Sequence, residues 1–173
     1  MRSSTRSPLI SRHLRRRNAL TSSATAERQP VSAEAVAATR IADDCRPAFL
    51  SLCFGPRFML RGESLVYAWL RQLFDADGAG HWHFYELSNG GFYLAPALPG
   101  PLRLDVEGSH FSGDFSSDAA GVVVTLFALG DLAAMAQGSK AGDRLTDHHL
   151  ALREFAKTHC ESSQILNAID CIG

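Results

Sequence analysis

The sequence has 173 residues and lacks closely spaced pairs of cysteines. None of its four cysteines forms a C-x-x-C pair: they are Cys45, Cys53, Cys160 and Cys171. This spacing argues against a zinc ribbon and against a thioredoxin-type redox site. A secretion signal is also missing, because no apolar run follows the basic residues near the start. We therefore expect free thiols in a reducing compartment and a cytoplasmic protein.

Long apolar runs and short catalytic motifs are missing too. The longest apolar stretch, residues 119–130, ends at Asp131 and falls short of the roughly 20 residues that cross a membrane. The sequence contains neither the G-x-S-x-G elbow of a hydrolase nor the G-x-x-x-x-G-K-[ST] loop that cradles phosphates. We expect no membrane contact, no catalytic residue and no cofactor.

Residues 1–40 contain no aromatic residue and few acids. This segment has eight arginines and two acids, Glu27 and Glu34, which gives it a net charge of +6. Residues 41–173 have nine basic and 16 acidic groups, which gives them a net charge of −7. A segment so poor in apolar groups cannot bury enough surface to offset its ordering entropy. The sequence therefore predicts a disordered basic arm over residues 1–40 and a folded domain over residues 41–173. A short helix at residues 33–38, capped by Ser32, is compatible with the arm.

The arm has several interpretations. Arg15, Arg16 and Arg17 could make a weak contact to nucleic acid, or they could belong to a solvated tail. The composition is also typical of an organellar transit peptide, and an over-extended start of translation would leave the same trace. The sequence leaves these alternatives open. The acidic body argues against a domain that grips nucleic acid through a broad basic face.

Two apolar segments follow the arm. Residues 49–54 form a short apolar run that fits a buried strand or a helical turn equally well. Residues 63–74 place Leu65, Trp69, Leu70 and Leu73 at helical spacing, with Glu63 in the first turn. The pattern predicts a helix over residues 63–74, ended by a glycine-rich loop at residues 75–80.

An aromatic hairpin comes next. Residues 81–87 and 92–95 are joined by Ser88-Asn89-Gly90-Gly91, and Asn-Gly is a strong hairpin signal because both residues tolerate positive φ. Strand alternation divides the first run between two faces, with His81, His83, Tyr85 and Leu87 on one and Trp82, Phe84 and Glu86 on the other. Residues 102–107 alternate in the same way and predict a third antiparallel strand.

The rest of the chain predicts three helices. Ser116-Ser117-Asp118 is a helix-start signal, and the apolar residues 119–136 behind it predict a buried central helix in which Gly121 lets another backbone approach. After a linker at residues 137–142, a second helix begins around Leu145 and ends near His159. Ser162 or Ser163 caps a last short helix. The predicted fold class is α+β: a small three-stranded antiparallel sheet packed with about four helices, plus the disordered basic arm.

Two groupings could carry chemistry. His81 and His83 share a strand face, but Glu86 points to the other, so the three or four ligands of a zinc site are not assembled and we expect no metal. Ser88 offers a hydroxyl in a turn, yet we expect Ser88 and Asn89 to hydrogen-bond their own turn backbone. A small hydrolase would need a base near Ser88, and nothing in the sequence places one.

The hairpin carries a family resemblance. Residues 80–96, G-H-W-H-F-Y-E-L-S-N-G-G-F-Y-L-A-P, resemble the signature of the ArdB/KlcA family of antirestriction proteins. Residues 54–67, 116–122 and 159–170 are similar to further segments of that family in order and spacing. In the helix start, Asp118, Ala120 and Gly121 match the family motif. The resemblance extends over roughly residues 41–171.

The resemblance implies both a fold and a role. It implies a small α+β protein that protects incoming unmodified DNA of plasmids and other mobile elements from host type I restriction enzymes, without hydrolytic chemistry or a cofactor. The implied partner is the host restriction complex or a factor that controls it. DNA carries one charge per about 1.7 Å of axis, and a body with interspersed arginines does not imitate that array. We therefore hypothesise a specific protein contact, not DNA mimicry.

The hairpin supplies the candidate contact residues: Trp82, Tyr85, Glu86, Ser88, Asn89, Gly90, Gly91 and Phe92. Large aromatic side chains usually fill cores, so Trp82, Phe84 and Phe92 are alternatively core residues. The competing interpretation is a nucleic-acid-binding accessory protein of a mobile element, acting through its arginine-rich arm.

Overall fold

Strands and helices follow one another in blocks. A computed structural model describes residues 35–74, 76, 80–105 and 111–172. The elements of this part are β1 (Ala38–Arg40), a 3-10 helix (Asp43–Cys45), α1 (Arg46–Phe54), α2 (Met59–Phe74), β2 (Trp82–Leu87), β3 (Phe92–Pro96), β4 (Leu102–Asp105), β5 (Ser112–Phe115), α3 (Ser117–Met135), α4 (Lys140–Thr158) and α5 (Ser162–Ile172). The predicted α+β class is confirmed.

The main sheet has three antiparallel strands in the order β1-β2-β3. Phe84 pairs with Leu94 across the predicted hairpin, and Ala38 pairs with Leu87 on the other side of β2. The third strand is therefore β1, and the expectation that residues 102–107 supply it is wrong. Leu102–Asp105 pairs instead with Ser112–Phe115 in a separate two-stranded sheet. The physical reason is that α3 covers the free edge of β3, where Thr125 hydrogen-bonds the backbone of Leu94.

The first described residues pair with the hairpin. Residues 1–34, with Ser32 and the three arginines at 15–17, lie outside the described residues. Ala38–Arg40, which the sequence analysis assigned to the arm, forms β1, so the helix considered possible at residues 33–38 does not form where the chain is described. The N–H of Ala37 donates to Ser88 Oγ at 3.0 Å and its carbonyl accepts from the N–H of Ser88 at 2.9 Å. Such tertiary pairing overrides the helix propensity of alanine.

The first two helices are longer than their sequence patterns. The undecided run at residues 49–54 belongs to α1, and α2 begins at Met59, four residues before the predicted start. Glu63 consequently lies in the second turn of α2, not in the first. The two helices pack closely, because a Cβ on Gly62 would lie 2.5 Å from the ring of Phe54.

Helix α3 is the centre of the core. Its start follows the prediction, since Ser116 Oγ accepts from the N–H of Ala119. Asp131 does not end the helix, which makes α3 long and apolar enough to cross a membrane by length and composition alone. Within the described chain its packing is that of a core helix, because β3, α2 and α4 surround it and most of its residues are buried.

The last two helices confirm the predicted pattern with one change. Helix α4 begins at Lys140, inside the predicted linker, because Ser139 caps it by accepting from the N–H of Gly142. It ends at Thr158, next to the predicted His159. Helix α5 follows after a three-residue break and buries Ile165 and Ala168.

The contact between α3 and β3 predicts opposite effects for two glycines of one helix. A Cβ on Gly121 would lie 2.6 Å from Ala95 Cα and 2.6 Å from the carbonyl oxygen of Leu94, whereas a Cβ on Gly130 meets nothing within 4 Å. Gly121→Ala should lower the free energy of unfolding by about 1–3 kcal/mol. Gly130→Ala should raise it by about 0.5–1 kcal/mol, because alanine loses less backbone entropy on folding. Urea unfolding measures both values, and equal shifts would contradict the close approach.

Candidate functional site

The hairpin turn is held by its own side chains and by β1. Gly90 has a φ of 84°, which favours glycine. Asn89 Oδ1 accepts from the N–H of Gly91 at 3.1 Å, as the turn chemistry predicts. Ser88 differs from expectation, because its hydroxyl accepts from Ala37, the residue before β1, and not from its own turn. The turn is thereby attached to the start of the domain.

The same turn is docked on α4. Asn89 Nδ2 donates to the carbonyl of Ala151 at 2.8 Å, and His148 Nδ1 lies 3.0 Å from the carbonyl of Gly90. A carbonyl only accepts, so Nδ1 of His148 carries the proton. Gly91 has no room for a side chain, since a Cβ there would lie 3.1 Å from the backbone nitrogen of Leu152. The turn is therefore a fixed part of the surface.

Most of the aromatic residues in the hairpin are core residues. Trp82, Phe84 and Phe92 are each at most 5% exposed, which confirms the core interpretation for these three side chains. Phe92 packs edge-on against the rings of Phe49 and Phe54 from α1. Of the candidate contact residues, Glu86, Ser88, Asn89 and Gly90 are exposed, Tyr85 is half-buried and Gly91 is buried.

A second polar cluster surrounds the predicted helix start. Asp118 Oδ1 accepts from the Tyr93 hydroxyl at 2.9 Å, and Asp118 Oδ2 accepts from His159 Nε2 at 3.0 Å. His159 Nδ1 accepts from the N–H of Glu161 at 3.0 Å. His159 is therefore the neutral tautomer with its proton on Nε2. We call Tyr93, Ser116, Asp118, His159 and Glu161 the Asp118 cluster.

Glu161 closes the Asp118 cluster on the cap of α3. Its carboxylate accepts from the backbone N–H of Ser116 at 3.2 Å and from the Ser116 hydroxyl at 2.9 Å. The same Ser116 oxygen accepts from Ala119 in the first turn of α3. The cluster thus joins β3, the start of α3 and the connection between α4 and α5. The other two helix-motif residues, Ala120 and Gly121, are buried in α3.

Burial and hydrogen bonding act in opposite directions on Asp118. Partial burial would raise its pKa, but the hydrogen bonds from His159 and Tyr93 hold the pKa below its usual range. Burial and the Asp118 charge raise the pKa of Tyr93 far above its usual range. The Tyr93 ring stacks between Tyr85, at 4.7 Å, and Phe155, at 5.5 Å. The Asp118 carboxylate is therefore favoured in its charged form, in which it accepts from both Tyr93 and His159.

The geometry of the Asp118 cluster does not fit cysteine catalysis. Cys160 Sγ lies 3.7 Å from His159 Nδ1, and Asp118 contacts the other ring nitrogen, an order that resembles a nucleophile, base and acid. A base would need a free lone pair on Nδ1, but that lone pair already accepts from the N–H of Glu161. Ser88 has no histidine within hydrogen-bond reach in the described chain. The polar groups serve to hold the fold together.

Of the two histidines at the start of the hairpin, His81 contacts an arginine. His81 and His83 lie 5.2 Å apart between ring centroids. Arg46 Nη2 lies 2.9 Å from His81 Nε2 and 2.7 Å from Asp43 Oδ1, so a guanidinium sits among these groups. Over the described ranges, no three His, Cys, Asp or Glu side chains are arranged to hold a metal ion.

Sequence reasoning identified Asp118 but missed the residues that bind it. Tyr93 lies in the hairpin block, and His159 and Glu161 lie in the C-terminal segment of the family resemblance. No local spacing connects these segments, because only the folded chain brings them together. The one sequence signal that pointed to these residues was that their segments resemble segments of the same family in the same order.

The fold is that of a small α+β protein. Its polar side chains hold the hairpin turn on α4 and join β3 to the start of α3. The family model described as "Antirestriction protein" matches residues 76–170. The Antirestriction protein KlcA of Escherichia coli is 51% identical over 142 residues, which cover 82% of this chain and 96% of KlcA. The protein YfjX of Escherichia coli strain K12 is 34% identical over 110 residues, 62% of this chain and 70% of YfjX.

A solved structure agrees with the sequence matches. It matches with a TM-score of 0.73 and 51% identity, covering 79% of this chain and 96% of the solved chain. It belongs to work on KlcA and ArdB that describes a novel fold and antirestriction activity against type I DNA restriction systems in vivo but not in vitro. The chain belongs to the antirestriction protein family, and the resemblance stated from the sequence is confirmed.

Removing the Asp118 charge should destabilise the protein. In Asp118→Asn the amide keeps one acceptor and turns a donor toward Tyr93 or His159. We expect a loss of about 1–2 kcal/mol in the free energy of unfolding at pH 7, moderated by solvent because 40% of the Asp118 side chain is exposed. The depressed pKa means that this contribution is present above the ordinary value of 3.8 and is lost as pH falls through the lower folded value. Asp105→Asn on exposed β4 is the control, and an equal loss there would exclude a specific role.

The turn on α4 predicts a second pH effect, near pH 6.5. Burial lowers the pKa of His148 below its ordinary value of 6.5, although Gly90 opposes this shift. The unfolded chain therefore binds the proton first, and stability is lost as pH falls through about 6.5. His148→Gln should reduce the drop in unfolding free energy between pH 7.5 and pH 5.5, measured by urea unfolding. Asp118→Asn should leave that drop unchanged, and an unaltered drop in His148→Gln would refute the assignment.

Proposed function

We propose that this protein protects unmodified DNA from type I restriction systems in the cytoplasm of its host. The observation that supports this most strongly is the 51% identity to KlcA over 96% of the length of KlcA. The TM-score of 0.73 to the structure from the KlcA and ArdB work adds support from the fold. The domain that carries this activity begins no later than Ala37, because Ala37 hydrogen-bonds Ser88 and the next three residues pair with β2.

The protection acts through a protein contact and not through imitation of DNA. A DNA mimic needs an open array of charges at a spacing of about 1.7 Å along the axis. Eight of the 13 described carboxylates instead accept from groups of the same chain: those of Asp43, Glu63, Asp114, Asp118, Asp131, Glu154, Glu161 and Asp170. Few carboxylates are left to present a phosphate-like surface.

The partner is the host restriction complex or a factor that controls it. KlcA and ArdB are described as active in vivo but not in vitro. A direct inhibitor of the purified enzyme would act in both settings, so this difference favours a further host component. His159 is not placed to act as a base for Cys160, since its Nδ1 lone pair accepts from the N–H of Glu161.

The contact surface is the exposed side of the hairpin. Glu86, Ser88 and Asn89 are exposed there, and half-buried Tyr85 precedes Glu86 on the opposite face of β2. Because Asn89 and Gly90 are anchored on α4, the backbone of the turn is held in one arrangement before any partner arrives. A surface ordered in advance loses little entropy on binding, which favours affinity from a small contact.

Glu86→Lys is the variant that tests this surface. Glu86 is exposed and makes no ion pair within the described chain, so its replacement should leave the fold intact. Unmodified phage is plated on a host with an active type I system, with and without this gene. The wild-type gene should raise plating, and Glu86→Lys should reduce that protection by about tenfold, which corresponds to about 1.4 kcal/mol of contact energy.

Asp105→Lys is the matched control for this experiment. It makes the same reversal of charge on an exposed strand position of the second sheet. We expect full protection from this variant, and unchanged unfolding midpoints in both. Full protection by Glu86→Lys would remove the hairpin from the contact, and no protection by the wild type in a folded state would refute the function itself.

A further inference from the structure

A basic cleft lies between the α1–α2 connection and the first turns of α4. Its volume is about 380 Å³. Arg57 comes from the connection, and Lys140 and Arg144 come from α4. Pro56 and Phe58 form part of its apolar wall. We call this the basic cleft, and it lies on a body whose net charge is negative.

None of the three cations has an acidic partner. In the described parts of the chain, no carboxylate lies within 4 Å of Arg57, Lys140 or Arg144, and that includes the nearby Asp143 and Asp147 of α4. Ion pairs do occur for other cations of the same domain: Arg40, Arg46, Arg103, Arg153 and Lys157. The basic cleft is therefore a local accumulation of uncompensated charge.

The placement of these cations opposes stability. Lys140 is the first residue of α4, where the positive end of the helix dipole disfavours a cation. Lys140 and Arg144 are four residues apart on one helix, a spacing at which like charges repel. Arg57 adds a third positive charge from another element. An anion bound in the cleft would relieve all three unfavourable interactions.

Gly55 gives Arg144 its position. Its φ of 80° turns the chain between α1 and α2, and a Cβ there would lie 3.0 Å from Arg144 Nη2. The guanidinium therefore lies against this connection, where Nη2 faces the carbonyl of Cys53 at 3.4 Å. A guanidinium carries five N–H donors, so most of them stay available to a ligand. The fold thus positions Arg144 but engages only part of its hydrogen-bonding capacity.

We propose that the basic cleft binds a phosphate ester. Arg57, Lys140 and Arg144 would hold the phosphate oxygens, and the organic part would lie against Phe58 and Pro56. A terminal phosphate monoester carries a charge of about −1.5 to −2, and a nucleic-acid backbone presents one negative charge on each successive phosphate; either matches three cations better than a single carboxylate does. Arginine binds phosphate oxygens in pairs, and lysine adds a point charge. The phosphate belongs either to a free nucleotide or to a nucleic-acid backbone, and this inference does not depend on the proposed function.

The test uses the full chain in calorimetric titrations at low salt. The probes are inorganic pyrophosphate, ADP and a 12-base-pair DNA duplex. Pyrophosphate or ADP should bind the wild type saturably, and the double variant Lys140→Gln/Arg144→Gln should bind at least about tenfold more weakly. The control Arg153→Gln/Lys157→Gln removes the same charge further along α4, from cations that are already paired, and should keep wild-type binding.

The outcomes test whether the basic cleft binds phosphate and identify the molecule that carries the phosphate. Binding of ADP without the duplex would identify a free nucleotide, and salt-sensitive binding of the duplex that the cleft variant loses would identify a nucleic-acid backbone. No saturable binding of any probe, or an equal loss in the control variant, would overturn the site. The cleft variant should keep or raise the thermal midpoint, because it removes repulsion, and Arg57→Gln on a separate element gives an independent second variant.

Discussion

The structure depends on one close contact, the packing of α3 against the edge of β3. Helix α3 is apolar on nearly every side, so it has to be enclosed, and Gly121 lets its backbone reach Ala95. The exposed edge of a strand presents unpaired N–H and C=O groups, which are costly to bury. Thr125, fully buried in α3, satisfies two of these groups, because its hydroxyl hydrogen-bonds both the N–H and the carbonyl of Leu94. The helix therefore both fills the core and completes the sheet, and α2 and α4 pack on its other sides.

The Asp118 cluster determines which residue of α3 meets the sheet. Successive helical residues are rotated by about 100° and shifted by about 1.5 Å, so a slip of one position would turn a larger side chain toward Ala95, where even a Cβ has no space. Asp118 lies one turn before Gly121 and is held from two sides by Tyr93 and His159. A polar pair of this kind, with His159 buried and Asp118 partly exposed, stabilises weakly but can specify one arrangement among several. We infer that the cluster sets the register of α3 on β3.

Local patterns in the sequence predict most of the elements, and tertiary pairing decides the rest. The Asn89-Gly90 turn, the Ser116 cap and the apolar face of α4 each act within a few residues, so the hairpin and the helices could be placed from the sequence. Strand β1 has only three exposed residues and exists through its pairing with β2, which no local pattern contains. For the same reason, sequence reasoning assigned the third strand to β4. The same holds for the Asp118 cluster. A local motif indicated Asp118, but no local pattern indicated its partners Tyr93 and His159.

Helix α4 connects the parts of the molecule that bear on function. Its first turns carry two cations of the basic cleft, its middle anchors the hairpin turn through His148 and Ala151, and its end leads into His159 of the Asp118 cluster. Arg144 and His148 are one turn apart, about 6 Å along the helix axis. A ligand in the basic cleft and a partner on the hairpin turn would therefore both contact α4 or residues anchored on it. A displacement of the whole helix would shift both surfaces together.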